Sequence, residues 1–184
     1  MGLRVSNANC VMMVRFRNQP GEASLLAEAI AGSAKAFLQL VRPYDGAVLS
    51  LAMRVAGHGE QARQIYGKVF LQLHRDLGFL KPGSLGKQIY RLAALACLQH
   101  LQQAGFSNID GASSAEPVEQ ALRTIMPRDR VIFELRHYEQ LDLEEVSHVL
   151  DISPTVARAA FARTAARLGR ALAPTTGKLP CKEF

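Results

Sequence analysis

The residues with the greatest chemical reach lie near the end of the chain. Arg158, Arg163, Arg167 and Arg170 fall between Pro154 and Leu172, with no Asp or Glu among them. At about 100° per residue, Arg163, Arg167 and Arg170 gather on one side of a helix, and Phe161, Leu168 and Leu172 gather roughly 150° away. One side therefore packs and the other is positive. A guanidinium fork grips a phosphate or a guanine edge at two points. Ala159, Ala162 and Ala166 are small enough to let the backbone approach a groove wall. A solvated basic face has the same pattern, so what separates the two readings is how the helix is presented.

Catalytic chemistry finds no comparable arrangement. Gly57-His58-Gly59-Glu60-Gln61-Ala62 matches a dinucleotide fingerprint formally, but it follows a helical pattern where that site requires a strand. Lys81-Pro82-Gly83-Ser84-Leu85-Gly86-Lys87-Gln88 has a misplaced first glycine for a phosphate loop, and Gln88 stands where Ser or Thr would hold magnesium. His58, His74, His100, His137 and His148 are scattered over different segments. Cys10, Cys97 and Cys181 form neither a Cys-x-x-Cys pair nor a Cys/His cluster. Glu144 and Glu145 open a helix, where they serve its dipole and cap. The expectation is a protein that is not an enzyme and carries no metal or cofactor.

The elements that must position the arginines read as helices throughout. Leu25, Leu26, Ala29 and Ile30 predict a first helix over Glu22–Ala31. Gly32 is suited to end it, and Ser33 to cap a second helix carrying Phe37, Leu40 and Val41. Pro43 is placed to open a third, with Val48, Leu51, Ala52 and Val55. Ala62, Ile65, Tyr66, Val69, Phe70, Leu73 and Leu77 recur every three or four positions and predict a helix over Glu60–Leu77. Ser84 can cap the next, which runs to about Gln103. Beyond residues 104–117, where Gly, Ser, Asn, Asp and Pro interrupt the apolar periodicity, helices are expected near Val118–Ile125, Arg128–Glu139, Leu143–Leu150 and Pro154–Ala173. Asp142-x-x-Glu145 is a capping box, Ser153-Pro154 a cap followed by proline at the first helical position, and only Asp151, Ile152 and Ser153 separate the last two helices. That is the signature of a helix-turn-helix.

The fold class is therefore all-α, with two small helical domains joined by a flexible linker. The boundaries are 1–20 for an irregular leader, 21–103 for the first domain, 104–117 for the linker, 118–173 for the second domain and 174–184 for a tail. The 184 residues, 48% apolar and 21% charged, exclude a disordered or collagen-like chain. The net charge of +6 is uneven: residues 1–100 sum to +7, 101–120 to −3, 121–150 to −2 and 151–184 to +4. Two positive ends suggest two anionic contacts. The longest purely apolar run, Leu92–Leu98, is far short of the ~20 residues of a membrane span, and a cytoplasmic location without membrane contact is expected. That run either packs deeply or leaves Leu95 and Leu98 as a patch for a partner. Met1-Gly2-x-x-x-Ser6 and Cys181-Lys182-Glu183-Phe184 fit lipidation patterns only loosely.

Three stretches of the first domain carry a resemblance: Ala34–Val41, Ile65–Leu73 and Gln88–Ala93. In the second it is carried by Ala121-Leu122-x-x-Ile125-Met126-Pro127-Arg128-Asp129-Arg130 and by Leu141-x-Leu143-Glu144-Glu145-Val146-x-x-Val149-Leu150-x-Ile152-Ser153. Over residues 22–172 the chain resembles a small extracytoplasmic-function (ECF) sigma factor of bacterial RNA polymerase, with its regions two and four. The resemblance implies core RNA polymerase and promoter DNA as partners, and an anti-sigma factor as a further one. On the recognition helix it implies DNA contacts at Thr155, Arg158 and Arg163. The charge stripe adds Arg167, the small residues that admit a groove wall add Ala159, and the cap adds Ser153 as candidate DNA contacts. At Ala160 the family often has a basic residue.

In region two the resemblance implies polymerase contacts at Glu60, Arg63, Gln64 and Lys68. The family places several acids there, whereas this stretch keeps only Glu60 and reverses sign at Arg63 and Lys68. For melting the minus-ten element the family uses an aromatic followed by polar or basic residues. Gln88, Leu95, Gln99, Gln102 and Gln103 replace those here, leaving Tyr90 and Arg91 as the candidates. The implied function is a transcription initiation factor. Two alternatives stand beside it: a sigma-like interaction protein that binds an anti-sigma factor or polymerase without selecting promoters, and a dimeric helix-turn-helix regulator.

Overall fold

The computed structural model describes residues 21–57, 59–104, 121–122 and 124–172. Expectations for the leader, for the linker beyond Ala104, for residues 118–120 and for the tail, with the two terminal lipidation patterns, fall outside those residues. Among the described residues the elements are helical, with no strand: α1 (Glu22–Ile30), α2 (Ala34–Ala56), α3 (Glu60–Asp76), α4 (Leu85–Ala104), α5 (Pro127–His137), α6 (Leu143–Leu150) and α7 (Pro154–Leu172). A 3-10 turn, Leu77–Phe79, follows α3.

Two helices expected around Pro43 are one helix of 23 residues with the proline inside it. Proline removes an amide donor and crowds the carbonyl four residues earlier, at a cost of about 3 kcal/mol. Here Pro43 and Gln39 are both exposed, so that carbonyl can turn to water. Leu40, Val41, Tyr44, Val48, Leu51 and Ala52 form one buried stripe across the proline, and that burial outweighs the break. The Ser33 hydroxyl caps the helix as expected, accepting from the Ala36 amide at 3.2 Å.

α4 is the central element, packed against α2 and α3 on one side and against α5 and α6 on the other. Its Ile89, Tyr90, Ala93, Ala94 and Cys97 are buried, and Leu95 is half exposed, so the apolar run divides between core and surface. The first turn of α4 meets Tyr44 so closely that a Cβ on Gly86 would stand 2.9 Å from the tyrosine hydroxyl, which only glycine avoids. The halves on either side of the linker do not stand apart. One apolar core runs from Leu26 and Leu40 through Ile89 and Cys97 to Ile132, Leu135 and Val146. Two lobes, α1–α4 and α5–α7, meet at a seam.

Candidate nucleic-acid interface

The helix-turn-helix is built as its sequence implies. Asp142 accepts from the Glu145 amide at 2.7 Å, and the Glu145 carboxylate accepts from the Asp142 amide at 2.8 Å, completing the capping box of α6. Asp151 ends α6 in the left-handed region at φ 55°. Ser153 starts α7, its hydroxyl accepting from the Val156 amide at 3.3 Å. α7 then buries Ala157, Ala160, Thr164 and Leu168. Phe161 stacks on Phe133 of α5 with ring centroids 5.8 Å apart. Because Ala160 is fully buried, a long basic side chain would not fit there; the alanine is a packing residue and not a lost DNA contact.

The exposed edge of α7 carries Ser153, Thr155, Arg158, Ala159, Ala162, Arg163, Arg167 and Arg170. The row of free guanidiniums that the spacing predicts is only half present. Arg158 pairs with Glu144 of α6 at 2.9 Å. Arg163 forms a fork on Asp129 of α5, its Nε donating at 3.0 Å and its Nη2 at 2.9 Å. The Asp129 side chain is 13% exposed against 62% for Arg163, so that arginine is held at the rim of α5. Arg167 and Arg170 make no ion pair among the described residues. With Arg163, Met126 and Thr124 they line a shallow groove of about 450 Å³ between α7 and the start of α5. Side chains at α5 could not be assigned to this edge from helical spacing alone, because Asp129 lies 34 residues from Arg163 in sequence.

In the first lobe Tyr90 is a correction. It is 2% exposed, under the seam, and packs edge-on to Tyr44 at 6.4 Å. Burial, followed by the charge and hydrogen bond of Glu139, pushes its hydroxyl far above the ordinary range. A ring so enclosed cannot stack on a base. Arg91, half-buried, remains at the surface of α4. The exposed aromatic of this lobe is Phe79, which spacing did not single out because it sits in the 3-10 turn beyond the periodic pattern. It is 87% exposed. Its loop is braced: Glu22 accepts from the Gly83 amide at 2.8 Å, and the Ser84 hydroxyl donates to the Lys81 carbonyl at 2.6 Å. The signal that could have found it is Phe79 followed by Lys81 in a Gly/Pro turn, an aromatic beside a cation.

Glu60, Arg63, Gln64 and Lys68 are all exposed on the outer face of α3. Arg63 reaches Glu60 at 3.8 Å, a loose pair with both partners in water. No group of carboxylate, histidine or cysteine side chains able to hold a metal occurs among the described residues. No helix among them is long and apolar enough to cross a membrane.

The seam itself is polar at one point. Arg54 of α2 donates to Glu134 of α5 at 2.7 Å and also to Glu139, and lies over the Tyr138 ring at 4.4 Å. Arg130 of α5 donates back to the Arg54 carbonyl at 2.9 Å. Burial pulls the Arg54 pKa down, but hydrogen bonds and charge from Glu134 and Glu139 outweigh it and raise the pKa. Burial raises that of Glu139, against the opposing pull of Arg54.

A helical lobe followed by a capped helix-turn-helix packed against it is the fold of an ECF sigma factor. The solved structure of the sigma factor CnrH, in complex with the cytosolic domain of CnrY, matches it with a TM-score of 0.62 at 20% identity, over 82% of this chain and 96% of that one. The RsbN–BldN complex matches with a TM-score of 0.35 at 20% identity, over 80% of this chain and 99% of that one. No family model and no curated protein matches the sequence.

Proposed function

We propose that this chain acts as a sigma-type transcription initiation factor, binding promoter DNA through α7 and core RNA polymerase through the outer face of α3. The observation that carries the reading is the exposed edge at Arg167 and Arg170, which make no ion pair among the described residues, continuous with the exposed Ser153, Thr155 and Ala159 on a capped helix-turn-helix. Phosphates would meet Arg167 and Arg170, while the start of α7 enters the major groove. Arg158 would exchange Glu144 for the DNA, a swap that an exposed pair makes at little cost, whereas Arg163 would have to leave the largely buried Asp129. In place of Tyr90, Phe79 with Lys81 is the candidate for a strand-separated base, since an exposed ring offers stacking worth ~1–3 kcal/mol per base. Glu60, Arg63, Gln64 and Lys68 are the proposed contacts to polymerase, and the fold shared with CnrH is consistent with that role. The test is transcription by core enzyme on a promoter library with the full chain added. Promoter-dependent transcripts are expected; absence of binding to core enzyme at every salt concentration refutes the reading.

A second reading is favoured by the burial of Tyr90 and the pairing of Arg158 and Arg163. In it the chain binds a helical protein, such as an anti-sigma factor of the kind CnrY represents for CnrH, without selecting promoters. It predicts a tight protein complex and no promoter-specific transcript.

A further inference from the structure

α3 and α4 pack side by side, and their outer faces enclose a groove of about 540 Å³ whose lining includes Lys68, Leu71, Arg75, Leu95, Leu98 and Gln102. Leu71 is 55% exposed and Leu95 50%. Single exposed leucines are ordinary, but two on adjacent helices bordering one concavity make a continuous apolar strip. The charged residues that line it are both basic, Lys68 and Arg75, and Asp76 lies beyond them at the end of α3, accepting from Gln72 at 2.9 Å. α3 has carboxylates only at its ends, Glu60 and Asp76, and α4 has none. Between them the two helices carry Arg63, Lys68, Arg75, Lys87 and Arg91. Lys68 and Arg75, which flank the strip, make no ion pair among the described residues. His100, beside this face, is pushed below its ordinary pKa by burial first and then by the charges of Arg130 and Lys68.

We infer that this groove is a docking site for an amphipathic, acidic helix of a partner protein. Its apolar anchors, spaced i, i+3, i+4 and i+7, lie between Leu71 and Leu95, and its flanking carboxylates meet Lys68 and Arg75. A helix suits the site because two packed helices already supply the ridges into which a third can settle. A nucleic acid suits it less well, since the floor is leucine and holds no stacking ring. A second copy of this chain has no such helix to offer among the described residues: the acid-bearing α6 has its own apolar side buried as Val146 and Val149. The inference does not depend on the promoter reading and deepens the second reading, giving its helical partner a place and a charge; Lys68 belongs to both proposed surfaces, so this partner and polymerase would compete for it.

The test titrates the full chain into two fluorescent designed peptides of about five helical turns. They share one leucine pattern; one has Glu on its flanks and the other Lys. The Glu peptide is expected to bind at least about tenfold more tightly, and less so as salt rises. Leu95→Glu, on an exposed position, should weaken it about tenfold with an unchanged melting temperature, and Leu71→Asn should act likewise. Lys68→Glu with Arg75→Glu should reverse the preference between peptides. The inference is overturned if the Glu peptide does not bind, if both peptides bind alike, or if a single-stranded oligonucleotide takes the site in a Leu95→Glu-sensitive way. Failure of promoter-dependent transcription would leave it standing.

Discussion

Arg54 and Arg167 are the same side chain in opposite circumstances. Arg54 is clasped by two carboxylates and an aromatic ring at the seam, with Glu134 almost wholly out of water. Arg167 stands on the outer edge of α7 and makes no ion pair among the described residues, the Asp129 that shares its groove being taken by Arg163. The first arginine has its partner inside the molecule, and its removal strands a buried charge. The second has no such clasp among the described residues, and its removal is expected to leave the fold alone. Arg163 lies between them, exposed yet forked onto Asp129. Arginine content therefore says little about binding until the opposing carboxylates are placed.

The largest effect expected is on the seam. Arg54→Ala should cost about 3–5 kcal/mol in urea denaturation, because Glu134 would be left charged and unpaired. The same variant should open Cys97 to alkylation. Burial pushes that thiol up to about 12 and shields it in the native protein, so mass spectrometry of its peptide reports the seam directly. If Arg54→Ala melts like the parent, the seam does not depend on this arginine.

Next comes the outer edge. Arg167→Ala with Arg170→Ala should weaken DNA binding about tenfold, and lower the slope of log affinity against log salt by about two, with stability unchanged. Asp129→Asn should act in the opposite sense, tightening binding a few-fold by releasing Arg163; anisotropy titrations at several salt concentrations measure both. A smaller loss of about 1 kcal/mol is expected for Asp142→Ala, which removes one half of the α6 capping box, read from the urea midpoint.

The smallest effect is a pH slope. The folded-state pKa of Glu139 is raised above its ordinary 4.5, chiefly by burial. Its contribution to stability is therefore fully present below the unfolded pKa and declines as pH rises through the folded one. Glu139→Gln should flatten the stability curve just above pH 4.5, as denaturation across pH would show.

Much of this architecture is written in local chemistry. The α6 capping box, the Ser153-Pro154 start of α7 and the three-residue turn between them are specified by residues within four positions of each other, and the structure has all three. Phe161 and Leu168 pack as their spacing requires. What was not legible depends on residues distant in sequence. Tyr90 reads as an available ring until Glu139, 49 positions away, is seen to hold it. Arg163 reads as free until Asp129 meets it. Pro43 reads as a helix start because proline chemistry is local, whereas the stripe that carries α2 through it is decided by what α3 and α4 bury.

The way α4 is shared between the lobes also bears on how the protein is made. A ribosome delivers Tyr90, Ala94 and Cys97 before the residues that will cover them, Ile132, Glu139 and Val146 among them. At about 5–20 residues per second, the nascent chain carries that greasy, uncovered flank for a few seconds. During that interval the half-built polypeptide is a substrate for chaperones, and premature termination after Ala104 would leave it one permanently.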